Sequence, residues 1–117
     1  MIIHGKERKF FLSVGAAAEV AKLCPDEDLA RMGEVLEGRF SQTVDGVAKI
    51  AAIMNRAYEE NRAYMESGYI AAPVTEAEIK ALGFSALQEL VEEIMAAFSA
   101  DLQSNVKTEP EKKRETA

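Results

Sequence analysis

SQTVDGVAKIAAIMNRAYEENRAYME, residues 41–66, is the stretch on which the fold turns. Val44, Val47, Ala51, Met54, Tyr58 and Met65 recur at spacings of three, four and seven. Ile50, Ile53, Ala57 and Tyr64 widen that stripe, while Asp45, Lys49, Arg56, Glu59 and Glu60 fall on the other side. This pattern predicts one long amphipathic helix whose apolar arc can bury against more than one neighbour. Asn-Arg-Ala-Tyr occurs twice within it, at 55–58 and 61–64. Six residues turn a helix through about 600°, which leaves the copies about 120° out of step. The copies therefore present no common surface. Tyr58 is assigned to the core stripe and Tyr64 to its edge. Arg56 reaches Glu60 at i+4, and Glu59 reaches Arg62 at i+3.

Downstream, Gly68 is a suitable stop for this helix. Tyr69-Ile70-Ala71-Ala72-Pro73 reads as an extended connector. Thr75 with Glu78 forms a capping box for a short helix ending at Gly83, and Ser85 with Gln88 forms a second. The last helix, about 86–104, carries Leu87, Leu90, Val91, Ile94, Met95, Phe98 and Leu102 on one side. VKTEPEKKRETA, residues 106–117, reads as a disordered tail.

Upstream, residues 1–4 and 8–12 read as short strands around a Gly5-Lys6-Glu7 turn. Such a hairpin is marginal alone, so it must pack on helices or pair with another chain. Ser13 is the N-cap of a helix over 14–24 with Ala17, Val20, Ala21 and Cys24 on its stripe, and Pro25 ends it. Asp26-Glu27-Asp28 place negative charge at the start of a second helix over 26–37, which carries Leu29, Met32, Val35 and Leu36 up to Gly38. The fold class is thus mainly α: about five helices in a compact bundle, a small N-terminal β-hairpin and a tail. One domain is expected over 1–105 and a flexible tail over 106–117.

Charge narrows the function. Fourteen basic and twenty acidic residues give a net −6. Four of the basic and three of the acidic residues lie in the tail, which leaves ten against seventeen, or −7, in residues 1–105. A body this acidic repels a phosphate backbone, so nucleic acid is not an expected partner. The helix–turn–helix outline of 14–37 offers Arg31 alone against five acidic residues in its second helix. The basic and apolar KERKFFLSVGAAA is too short and interrupted for a secretion signal, and no segment approaches membrane-span length.

Chemistry is sparse. His4 is the only histidine and Cys24 the only cysteine, so no disulfide and no multi-histidine or multi-thiolate zinc site exists within one chain. A single thiol fits a reducing cytoplasm. Cys24 reads as a small buried apolar residue and His4 as a solvated strand end. The 26–28 cluster lacks the spacing of a calcium loop. Glu59-Glu60 and Glu92-Glu93 are each adjacent on a helix, so their members diverge by about 100°. An acid–base dyad would need one glutamate from each helix to meet. No catalytic, cofactor or metal residue is assigned.

The order of words along residues 5–113 resembles the small tail assembly chaperones of long-tailed phages and prophages of Gram-positive bacteria. A basic hairpin runs into FFLSVGAAAEVAKLCPDEDLARM. AKIAAIMNRAYEE and GYIAAPVTEAEIKAL follow, and then AAFSADLQSNVKTEPEKK. The resemblance implies a non-enzymatic protein of the bacterial host cytoplasm. It would bind the tape measure protein, keep it soluble and help the tail tube protein polymerise around it. It also implies a longer frameshifted form of the same chain. Methionine suits a surface that accepts imperfect partners. Met32 and Met54 fall on the core stripes. Tyr64, Met65, Tyr69 and Ile70 at the helix end, with Met95 and Phe98 on the last helix, are the candidate partner-binding residues. The wide face of the long helix and the hairpin edges also suggest a homo-oligomer. A small bacterial regulator or antitoxin, acting by protein or DNA contact, is the alternative.

Overall fold

In the computed structural model, residues 1–108 are described, with side chains for residues 1–102. The spine is the predicted long helix, α3, Phe40–Met65. Val47, Ile50, Ala51 and Met54 on it are fully buried, because the rest of the chain folds around that face. The first helix, α1, Val14–Ala21, starts on Ser13, whose Oγ accepts the Ala16 amide at 3.1 Å. It lays Ala16 and Val20 on α3, while Ala17 and Ala21 are half-buried. The short α4, Glu76–Lys80, buries Ile79, and α5, Ala86–Thr108, buries Leu90 and Ile94 against the same spine. The broad arc of α3 is covered within this chain at its centre, from Val47 to Ala57, and left open at both ends, where Phe40, Tyr64 and Met65 are exposed. Met32 and Met54 are core residues, each below 2% exposure.

Three local readings change. The hairpin pairs β1, Ile2–Ile3, with β2, Lys6–Glu7, not 1–4 with 8–12. His4 and Gly5 make its two-residue turn, with φ of 48° and 82°, as a type I′ turn requires. Arg8 still exchanges bonds with Met1, its amide donating to the Met1 carbonyl at 2.8 Å and its carbonyl accepting from the Met1 ammonium at 2.9 Å, whereas residues 9–12 run across the helices outside the hairpin. The Phe11 amide donates to the Met54 carbonyl at 3.1 Å, and the Leu12 amide to Asp101 at 2.8 Å.

The expected helix over 26–37 is two 3-10 turns, Pro25–Glu27 and Leu29–Arg31, followed by a four-residue α2, Met32–Val35. Asp26 and Glu27 have φ of 57° and 53°, from which a right-handed helix cannot propagate. Asp28 accepts the Ala30 amide at 3.0 Å and starts the second turn instead. α2 approaches α3 so closely that a Cβ on Gly46 would sit 2.5 Å from Val35 Cγ1.

The Thr75–Glu78 capping box forms as expected, with bonds of 3.1 and 2.9 Å. The Ser85–Gln88 box does not: Gln88 donates to Glu92, and the Ala86 and Leu87 amides donate to the Gly83 and Phe84 carbonyls. Since α5 runs to Thr108, the tail expected from 106 lies, from 109 onward, outside the described residues.

Candidate partner-binding surface

From Glu60 onward no α3 side chain is buried, so the last turns of the helix extend past their cover. Tyr64 is 89% exposed and Met65 76%, which places Met65 off the core stripe it was assigned to. Tyr58, also assigned to the core, is half-buried. The Tyr69 amide donates to the Glu66 carbonyl at 3.1 Å, and the chain turns through Gly68 (φ 88°). Ile70 emerges beside that turn at 83% exposure. Tyr64, Met65 and Ile70 are thus all exposed at, or just beyond, the C-terminal end of α3.

Tyr69 faces the other way, half-buried, and donates its hydroxyl to Glu59 Oε1 at 2.6 Å. The Arg62 guanidinium lies 4.3 Å from the Tyr69 ring centroid and binds Glu66 at 2.8 Å. The expected Glu59–Arg62 pair is therefore replaced. Met95 and Phe98 sit on α5: Phe98 packs against the core, and Met95 is 37% exposed.

Glu59 was expected in solvent and is 3% exposed. The same Oε1 also accepts the Ala72 amide at 3.0 Å. One turn earlier, Asn55 is fully buried; it donates to the Lys9 carbonyl at 2.9 Å and accepts the Val74 amide at 2.8 Å. Arg8, also buried, donates to the Ala72 carbonyl at 2.5 Å. A buried carboxylate is costly unless hydrogen-bonded. Here burial pushes the Glu59 carboxyl up, but the Tyr69 hydroxyl, the Ala72 amide and nearby Lys6 and Arg8 together hold it below the usual carboxylate range. The same bond, with burial, raises the Tyr69 phenol.

The opposite end of α3 carries a feature that helical periodicity did not reveal. Phe40 and Phe84 meet with ring centroids 5.5 Å apart and planes tilted by 43°. Both rings are mostly exposed, over an apolar cleft of about 270 Å³ floored by Val44, Val47, Ile79 and Leu82. Phe84 stands between Gly83 and Ser85, off any helical stripe. A bulky aromatic isolated in a polar turn is the one signal that could have flagged it.

Cys24, His4, Glu59, Glu92 and Glu93 each have a separate partner. Cys24 is buried and its Sγ donates to the Val20 carbonyl at 3.3 Å; burial first, then Asp28 and Glu34, raises its thiol. His4 Nε2 donates to the Glu78 carbonyl at 2.7 Å. Glu93 lies 3.7 Å from the Met1 ammonium, and Glu92 accepts from Gln88, while Glu59 serves Tyr69 and Ala72. Among the described residues no three His, Cys, Asp or Glu side chains are placed to share a metal ion. No helix of the described residues is long and apolar enough to cross a membrane. No family model, curated protein or solved structure matches the chain.

Proposed function

We propose that this chain is a non-enzymatic tail assembly chaperone of the long-tailed phage type. In this reading it binds the tape measure protein in the bacterial host cytoplasm, keeps it soluble and promotes tail tube assembly around it. The tail tube protein and a longer frameshifted form of the chain are the further partners. The observation that carries the reading is the exposure of large apolar side chains at both ends of one helix. Tyr64, Met65 and Ile70 lie at one end and Phe40 and Phe84 at the other, on an acidic body. A helix of 26 residues spans roughly 39 Å, so an extended client can be gripped at two points. Each such side chain gains about 1.5–3 kcal/mol when a partner fully buries it. The net charge of the body keeps the free protein soluble and disfavours nucleic acid.

The test is co-expression with a tape measure protein encoded beside this chain. The chain raises the soluble yield of that protein and co-purifies with it, and Tyr64→Ser, Met65→Ser, Ile70→Ser in one variant lowers both. Unchanged yield without co-purification would overturn the reading. A gel shift that persists at physiological salt would replace it with that of a regulator.

A further inference from the structure

Residues 69–74 form neither helix nor strand, so their backbone polar groups must find partners elsewhere. The Tyr69 amide donates to the Glu66 carbonyl, and Ala72 and Val74 find theirs on two α3 residues one turn apart and on the N-terminal segment. Glu59 Oε1 takes both the Tyr69 hydroxyl and the Ala72 amide. These two anchors stand on either side of Ile70, the large apolar side chain that the strap exposes. Asn55 accepts the Val74 amide and donates to the Lys9 carbonyl, and Arg8 donates to the Ala72 carbonyl. Ala72 is therefore held at both its amide and its carbonyl. Three separate segments, 8–9, 55–59 and 69–74, are closed into one polar ring whose inner members Arg8, Asn55, Glu59 and Val74 are buried.

We propose that Asn55 and Glu59 form a clasp that positions the partner-binding end of the molecule, holding the strap that exposes Ile70 against the helix whose last turn exposes Tyr64 and Met65. Glu59 is a positioning residue: it touches no partner and acts through Tyr69 and Ala72. The inference rests on the chaperone reading above. The charged and titratable groups around the clasp are Lys6 and Arg8 from the N-terminal segment, Tyr69 from the strap, and Arg62 and Tyr58 beside Tyr69. Because both donors converge on one oxygen, a glutamine can keep both bonds through its carbonyl and lose only the charge, whereas an alanine keeps neither.

Two readouts test this on the full chain: hydrogen-exchange protection of individual amides, and soluble yield of the co-expressed tape measure protein. Glu59→Ala lowers protection of the Ala72 amide by about tenfold and that of Val74 with it, while the Ile94 amide on α5 is unchanged. Its client yield falls to that of Ile70→Ser. Glu59→Gln restores both, and its Ala72 protection no longer declines on acidification as the wild type's does. If Glu59→Ala does not fold, Tyr69→Phe removes the hydroxyl anchor at a half-buried site while leaving the Ala72 bond, and is read by client yield alone, which falls if the anchor positions Ile70 and stays at the wild-type level if it does not. Unchanged Ala72 protection overturns the clasp. A loosened strap with undiminished client yield overturns the positioning role and leaves the chaperone reading standing. A wild-type chain without effect on client yield overturns the chaperone reading, and the positioning role with it.

Discussion

Glu59 and Tyr69 are ten residues apart and meet at 2.6 Å, carboxylate to phenol, at the point where the long helix gives way to the strap. Their bond binds a buried charge to the residue that orients the exposed end of the molecule. Its thermodynamic sign follows from the carboxyl. Glu59 has a folded-state pKa below its ordinary value of 4.5, so it adds stability that is fully present above that value. That stability is lost as pH falls through the folded pKa. The melting temperature should hold from neutral pH to about pH 5.5 and decline below 4.5. Glu59→Gln should show a shallower decline than the wild type. Scanning calorimetry across this range checks it, and parallel curves for the two proteins would refute it.

Gly46 and Val35 set the approach of α2 to α3. A methyl group on Gly46 meets Val35 Cγ1 at 2.5 Å, and the stiff β-branched side chain has little room to turn. Gly46→Ala should destabilise by about 1–3 kcal/mol in urea unfolding. Adding Val35→Ala should recover part of that loss, a coupling that a double-mutant cycle measures directly. Additive losses would mean that the two positions do not oppose one another.

Core and surface apolar residues should separate cleanly. Ile50→Ala and Met54→Ala, at fully buried positions, should each cost about 2–5 kcal/mol. Tyr64→Ser and Met65→Ser, at exposed positions, should stay within about 0.5 kcal/mol. Urea midpoints of the four variants give the comparison; a large loss at Tyr64 would show that its ring supports the fold.

Cys24 should resist modification. The thiol is buried, bonded to the Val20 carbonyl and raised above its ordinary range by burial and by Asp28 and Glu34. A thiol-specific disulfide reagent at pH 8 should label it only at the rate at which the chain opens. Immediate labelling of the native protein would contradict that burial.

Short-range features were legible. The span of α3 followed from a 3.6-residue period sustained over seven turns. Ser13 and the Thr75–Glu78 box followed from side chains that bond amides three residues away. Met32 and Met54 followed from their place on the stripes. Where local rules competed, the reading failed. Asp26 and Glu27 looked like the first turn of a helix, yet their own left-handed backbone and the cap at Asp28 broke that helix into turns. The hairpin register moved because His4 and Gly5 together satisfy a tighter turn than Gly5-Lys6-Glu7.

The amino-acid sequence by itself determined where α1, α3 and α5 run, the caps at Ser13 and Thr75 and the central part of the apolar stripe that faces inward, because these depend on neighbours within a turn or two. Only the tertiary structure decided the fate of the polar face. Periodicity sends Glu59 to solvent, but a buried carboxylate is tolerated wherever enough donors reach it. Those donors, Tyr69 and Ala72, arrive from a segment with no periodicity of its own. The meeting of Phe40 with Phe84, 44 positions along the chain, is likewise a property of how α3 and the turn before α5 come together.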